Sequence, residues 1–197
     1  MTASAPCFRR YVLIEFKALS DSRNYFAKSS CVAVRSMSMN MPKEPAVGID
    51  LGTTYSAVAY VDASGTPVTL SNSEGDKLTP SAVFFEGDNV VVGKEALKAI
   101  ATEAEQVAQF AKRDLGNRSF HKVLGGRHYP PEVIQAFVLN KIRSDTEKQI
   151  GPFSKAVITV PAYFDEVRRK STQDAGYMAG LDVIDIINEP TAAAVAF

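Results

Sequence analysis

Cysteine is scarce in this chain of 197 residues: only Cys7 and Cys31 occur, 24 positions apart near the N-terminus. That excludes a disulfide framework and a CxxC metal or redox site, and it suits a reducing, cytoplasmic setting. Net charge is also missing, with 22 basic and 22 acidic side chains. No bulk electrostatic attraction to nucleic acid or to acidic membranes is therefore expected. No uninterrupted apolar run approaches the roughly 20 residues that cross a bilayer. Neither GxxxxGKS/T nor GxGxxG is present, which removes the P-loop and dinucleotide-binding readings. Internal repeats are absent too. What remains is an ordinary globular composition, 46% hydrophobic and 22% charged, long enough for one good core or two small ones.

The overall neutrality conceals an asymmetry. Residues 1–46 hold seven basic side chains against three acidic ones, whereas residues 47–197 hold fifteen against nineteen. The leading segment, about residues 1–45, carries Arg9, Arg10, Lys17, Arg23, Lys28, Arg35 and Lys43 among serines, with little pattern beyond the apolar patch Tyr11 to Phe16. It reads as a disordered leader, set apart from the fold. Two origins stand open for it. Met37, Met39 and Met41, crowded just before the first patterned segment, point to an upstream translation start; the Arg- and Ser-rich, acid-poor composition is also that of an organellar transit peptide.

From Ala46 onward strands and helices alternate, the signature of an α/β fold. Val47 to Asp50 reads as a strand, Leu51 to Thr54 as a tight turn and Tyr55 to Val61 as a second strand. A third strand is expected at Val68 to Leu70, then a polar loop from Ser71 to Thr79, then a hairpin of Ser81 to Phe85 with Asn89 to Val92. Ala96, Ile100, Ala104, Val107, Phe110 and Ala111 recur at helical spacing, which predicts one helix through all six. Gly116, Gly125, Gly126 and Pro130-Pro131 mark a loop, and a helix opening at the prolines runs to Gly151. Ala156 to Pro161 is an apolar strand suited to burial in a sheet, so its C-terminal edge is a candidate ligand position. Asp165 is placed to cap a helix toward Gly180; Val183 to Ile187 forms the next strand, and Pro190 and Thr191 open a last helix.

Four segments carry potential chemistry. Gly48-Ile-Asp-Leu-Gly-Thr-Thr-Tyr-Ser spans a strand end, a turn and a strand start. Its glycine lets backbone approach a phosphate, its successive N–H groups and hydroxyls can surround phosphate oxygens, and Asp50 at its mouth can hold a hydrated magnesium ion. A purely structural hairpin is the competing reading. Lys112 and Arg113, at the end of a predicted helix, are placed to complement the helix dipole as solvated surface charges, and alone say little. Val160-Pro-Ala-Tyr-Phe, with Arg169 downstream, is the third segment. Asn188-Glu-Pro-Thr-Ala-Ala-Ala is the fourth; Glu189 there is either an exposed strand-end acid or a carboxylate waiting for a cation. Asn117-Arg-Ser is a chance glycosylation pattern without a secretory signal, and His121 and His128, lacking acidic or cysteine company in the sequence, make a poor metal site.

Taken in this order, the four segments resemble the N-terminal lobe of the nucleotide-binding domain of the seventy-kilodalton heat-shock chaperones of DnaK type, members of the actin, hexokinase and sugar-kinase superfamily. The resemblance covers about residues 46–197. It implies an actin-like ATPase lobe: a ribonuclease H-like mixed sheet with flanking helices, its core formed by residues 46–80 and 130–197 and a shortened outer subdomain by residues 81–129. It also implies ATP or ADP with magnesium as cofactors, potassium by the same token, and an ATP-hydrolysing chaperone as parent. By position, Asp50, Gly52, Thr53, Thr54 and Tyr55 match the first phosphate-binding hairpin, with Asp50 toward the magnesium shell. Lys112 matches the lysine that positions attacking water and stabilises the transferred phosphoryl group, and Glu189 the carboxylate that reaches magnesium through water. Pro161 and Arg169 match an interdomain switch pair. Peptide clients, a J-domain co-chaperone and a nucleotide-exchange factor are the partners implied, with neither nucleic acid nor membrane among them.

Two departures accompany the match. Only Asp114 to His128 separate Ala-Lys-Arg from the Tyr-Pro-Pro-Glu-Val helix start, where typical family members carry several dozen residues more, and Asp114 and Gly116 change the usual wording after the lysine. The sequence also stops at Phe197, inside the helix after Glu189, so the second lobe and the peptide-binding region are not expected in this chain, and activity of the chain alone is expected to be weak. Two further function classes stay open: a sugar or acyl kinase of the same superfamily, and a non-catalytic truncated interaction module.

Overall fold

A computed structural model describes residues 45–195 with the exception of residue 88, so the readings of the leader lie outside the described residues. The first three strands form as the alternating pattern dictates: β1 (Val47–Asp50), β2 (Tyr55–Val61) and β3 (Pro67–Thr69) run as an antiparallel meander. All four residues of β1 are buried, because β1 lies in the interior of a sheet whose order is β11 (Asp182–Asn188), β10 (Lys155–Val160), β1, β2, β3. Its other neighbour is β10 (Lys155–Val160), parallel, with Asp50 opposite Thr159; outside it, also parallel, lies β11 (Asp182–Asn188), with Val160 opposite Asn188. Between Ala156 and Val157 the register shifts, so that the partners on β11 jump from Val183 to Asp185 and Ile184 is passed over. The three parallel strands thus end side by side at Asp50, Val160 and Asn188.

The helices follow their end signals. Pro131 opens α2 (Pro131–Ile150) in its first turn and Gly151 closes it. The Asp165 carboxylate caps α3 (Glu166–Met178) by accepting the Arg168 N–H at 2.9 Å. α3 connects β10 to β11 and packs on α2, giving the βαβ unit that the alternation predicts. The last helix, α4 (Glu189–Val195), begins directly at the end of β11.

A second sheet, ordered β6-β5-β7, comes from β5 (Ala82–Glu86), β6 (Asn89–Val92) and β7 (Val107–Gln109). β5 is buried on both faces: Val83 and Phe85 join the main core with Val47, Ile49, Val138 and Ile158, while Ala82 and Phe84 pack with Ala96 of α1 (Lys94–Glu103) and Val107. Residues of the 81–129 segment therefore share the main core, to which Ala108, Phe120 and Leu124 also contribute.

One predicted element is corrected. The helix expected through Ala111 stops at Glu103; a 3-10 turn (Ala104–Gln106), the strand β7 and a second 3-10 turn (Ala111–Asp114) take its place. Val107 and Ala108 pair with Phe84 and Val83, so the free edge of β5 claims residues whose spacing also suits a helix. Phe110 then adopts φ 60°, a left-handed conformation that no helix continues through. Two shorter features add to the expected elements: β4 (Thr79–Pro80), which begins at the last residue of the expected polar loop and pairs with the start of β2, and, within the expected loop before Pro130, a small hairpin of β8 (Val123–Leu124) with β9 (Arg127–His128). No helix among the described residues is long and apolar enough to cross a membrane.

Candidate functional site

Asp50, the last residue of β1, lies beside Thr159 on the neighbouring strand and accepts its hydroxyl hydrogen bond at 2.9 Å. The carboxyl group is 4% exposed. Burial opposes its ionisation most strongly; the Thr159 hydrogen bond and the charge of Lys112 work against that, the charge of Glu189 works with it, and the outcome is a pKa pushed up from 3.8 to about 6. Asp50 is a carboxylate short of positive company.

The turn after Asp50 is braced from beneath by hydroxyl groups. The Gly52 N–H donates to the Asp50 carbonyl and to Ser56 Oγ, both at 3.1 Å; Ser81 Oγ donates to the Gly52 carbonyl at 2.9 Å; and Ser56 and Ser81 share a hydrogen bond of 2.9 Å. With the Ser81 proton committed to Gly52, Ser56 is the donor between the two serines. The Ser81 N–H in turn holds the Thr54 carbonyl at 2.9 Å. A Cβ at Gly52 would stand 1.9 Å from the Tyr55 carbonyl oxygen, so no other residue fits there. The glycine contributes its missing side chain, since its own N–H points into the scaffold. Thr53 is partly buried, and Thr54 and Tyr55 stand at the turn's outer side, Tyr55 at 46% exposure.

Lys112, which alone reads as a solvated helix-end charge and by resemblance as the lysine of a phosphoryl site, sits on the 3-10 turn Ala111–Asp114 with 2% exposure. Its ammonium donates to Glu189 Oε1 at 2.8 Å and lies 5.7 Å from the centre of the Phe164 ring. A lysine so nearly buried requires such a partner. Glu189, the first residue of α4, keeps its side chain 41% exposed, so the pair has one dry and one wet end. The electrostatic influence of both on Asp50 puts Asp50, Lys112 and Glu189 in one neighbourhood at the carboxyl ends of β1, β10 and β11.

Pro161 and Arg169 meet at a shared neighbour. The Phe164 N–H donates to the Pro161 carbonyl at 3.1 Å, the Phe164 carbonyl accepts from Arg169 Nε at 3.1 Å, and Arg169 also donates to the Asn188 side chain, one residue before Glu189. Ser56 and Phe164 stand inside the glycine-turn and Val-Pro-Ala-Tyr-Phe segments without a legible role of their own, and Ser81, Thr159 and Arg168 lie outside all four segments. Thr159 left a signal, a hydroxyl within an otherwise apolar central strand; the others take their roles from partners far away in the chain. His121 has acidic company after all, its Nδ1 lying 2.6 Å from Asp114 Oδ2.

The donor set fits a magnesium nucleotide. The oxygen ligands are hard, the missing side chain at Gly52 lets the turn close tightly on the Tyr55 carbonyl, and one carboxylate is short of cationic partners. Among the described residues no three acidic, histidine or cysteine side chains converge into a closed metal cage, so an ion held here would keep most of its water shell.

Comparison with known proteins follows the same line. The family model for Hsp70 protein matches residues 46–124 and 119–197, two segments that overlap at residues 119–124. The DnaK chaperone protein of Metamycoplasma hominis is 45% identical over 159 residues, 80% of this chain and 26% of the relative. That of Mycoplasmopsis agalactiae is 47% identical over the same shares, and that of Halobacterium salinarum 44% identical over 80% of this chain and 25% of its own length. This chain thus spans about a quarter of the length of these relatives. With the family model matching nearly all of residues 46–197 and these relatives 44–47% identical, the chain belongs to the Hsp70 family.

Proposed function

We propose that this chain forms one wall of the ATP site of an Hsp70-type chaperone, and that the observation carrying this reading is the pairing of buried Lys112 with Glu189 beside Asp50. In hydrolysis, water attacks the γ-phosphorus, the bond to the ADP oxygen breaks and inorganic phosphate leaves. That reaction needs positioning and charge stabilisation more than covalent help. Lys112, nearly buried, offers N–H donors to the charge that builds on the phosphoryl oxygens. Glu189 orients it and, from its exposed side, accepts a hydrogen bond from water. The turn at residues 52–55 presents backbone and hydroxyl groups to phosphate oxygens. Asp50 and Glu189 are the carboxylates toward magnesium, which when bound neutralises phosphate charge. Peptide clients, a J-domain co-chaperone and an exchange factor are the partners of this reading, acting on a full-length protein.

The test is Lys112→Ala in a full-length protein carrying this chain. ATP binding, followed by calorimetry, is expected to stay within severalfold, while single-turnover hydrolysis falls by about a hundredfold or more. Unchanged turnover would remove Lys112 from the site, and phosphoryl transfer to a small acceptor in place of water would replace the chaperone reading by a kinase.

A further inference from the structure

Lys112 is held in place by more than its carboxylate. The 3-10 turn that carries it ends at Leu115, whose buried side chain packs with Val160 and Phe164. The Leu115 carbonyl accepts a hydrogen bond from Arg168 Nε at 3.2 Å. The same guanidinium lies 5.7 Å from the centre of the Phe164 ring, the distance at which the Lys112 ammonium meets that ring. Arg168 makes no ion pair among the described residues, so its charge is directed to a carbonyl and an aromatic ring on the lysine loop side. The next residue adopts the role on the opposite side: Arg169 grips Asn188, the neighbour of Glu189. Consecutive arginines at the start of α3 therefore brace the two halves of the Lys112–Glu189 pair, one each.

Gly116 completes the brace. It has φ 88°, and a Cβ there would lie 3.2 Å from Arg168 Cγ and 3.6 Å from Val167 Cγ1. The altered wording after the lysine thus makes physical sense: a glycine lets α3 side chains close over the loop, and the loop returns through the Asp114–His121 contact.

We infer that Arg168 is a positioning residue for Lys112, acting through the Leu115 carbonyl and the Phe164 ring. The inference rests on the ATPase reading for its purpose but not for its physical content, which concerns where the lysine is held. An arginine suits this place because its planar head can donate in its plane and stack against a ring at once.

Two measurements on Arg168→Ala, Arg168→Lys and Gly116→Ala test it. The first is the rate at which an amine-reactive reagent labels Lys112 in this chain, read by peptide mass spectrometry against Lys141, which is also largely buried but held in a separate network. Arg168→Ala is expected to speed labelling of Lys112 about tenfold and leave Lys141 within twofold, as local opening requires. Arg168→Lys, which keeps a donor for the carbonyl, is expected to recover most of the protection. Gly116→Ala carries the same test through a different atom and is expected to expose Lys112 as well. The second measurement is hydrolysis in a full-length protein, where Arg168→Ala should lower kcat about tenfold with KM within threefold. Unchanged labelling of Lys112, or equal acceleration of Lys112 and Lys141 in every variant, overturns the inference. Loss of the ATPase reading shows up separately, as normal turnover in Lys112→Ala while Arg168→Ala still speeds labelling of Lys112 selectively.

Discussion

Two buried aspartates, Asp50 and Asp145, show how the same side chain is used for opposite ends. They are 4% and 5% exposed. Asp145, on α2, is surrounded: Lys141 reaches it at 3.0 Å and Lys148 at 3.2 Å, while Ser73 donates both its N–H and its hydroxyl. Burial pushes its pKa up, but the Ser73 and Lys141 hydrogen bonds outweigh that, and it ends below 3.8. Asp50 has a single hydroxyl partner and ends at about 6. A structural carboxylate is fully provided for by its own fold; one left wanting marks the place where something from outside is meant to complete it.

Removing each charge should separate the two roles. Asp145→Ala should cost the most, about 3 kcal/mol in denaturant unfolding, because Lys141 loses its buried partner and the loop that starts at Ser71 loses its anchor on α2. Asp50→Asn should do the reverse. The rise from 3.8 to about 6 corresponds to about 3 kcal/mol of stability forgone at neutral pH, and an asparagine that keeps the Thr159 contact should recover about 2 kcal/mol, while under the proposed function it weakens magnesium-dependent nucleotide binding by a full-length protein.

The pH dependence has opposite signs at the two positions. Because the Asp50 pKa is raised in the folded chain, its favourable contribution is complete below 3.8 and is lost as pH climbs through about 6; the advantage of Asp50→Asn should appear over that interval. The Asp145 contribution is present above 3.8 and disappears as pH falls through its lowered pKa, so Asp145→Ala should approach the parent chain only in acid. Thermal melts between pH 3 and pH 8 measure both. The smallest effect serves as the control: Glu95→Ala breaks the exposed Glu95–Lys98 pair, at 57% and 66% side-chain exposure, and should change stability by less than about 0.5 kcal/mol.

The parts of this molecule that could be read from sequence are those whose causes are local. The glycine turn, the strands around it, the Asp165 cap and the proline and glycine limits of α2 depend on neighbours within a few residues, and each stands where its signal lies. The segment from Ala104 to Asp114 failed because its spacing satisfies helix and strand alike, and the choice was made by the edge of β5, some 25 positions earlier. Burial of Lys112 was illegible for the same reason, its partner being 77 residues away. Ser81 supports Gly52 across 29 residues and Arg168 reaches Leu115 across 53, so neither can be recognised before the chain is folded.

The passed-over Ile184 on β11 carries a consequence for the whole edge of the sheet. Side chains on a strand point alternately to its two sides, so one supernumerary residue exchanges the sides for everything after it. That irregularity governs the aspect of Asn188 and the point at which the chain turns into α4, and with it the direction from which Glu189 approaches Lys112. The exposed Ile184 thereby sets the phase of the strand that leads into Glu189, a task that its own chemistry would never suggest.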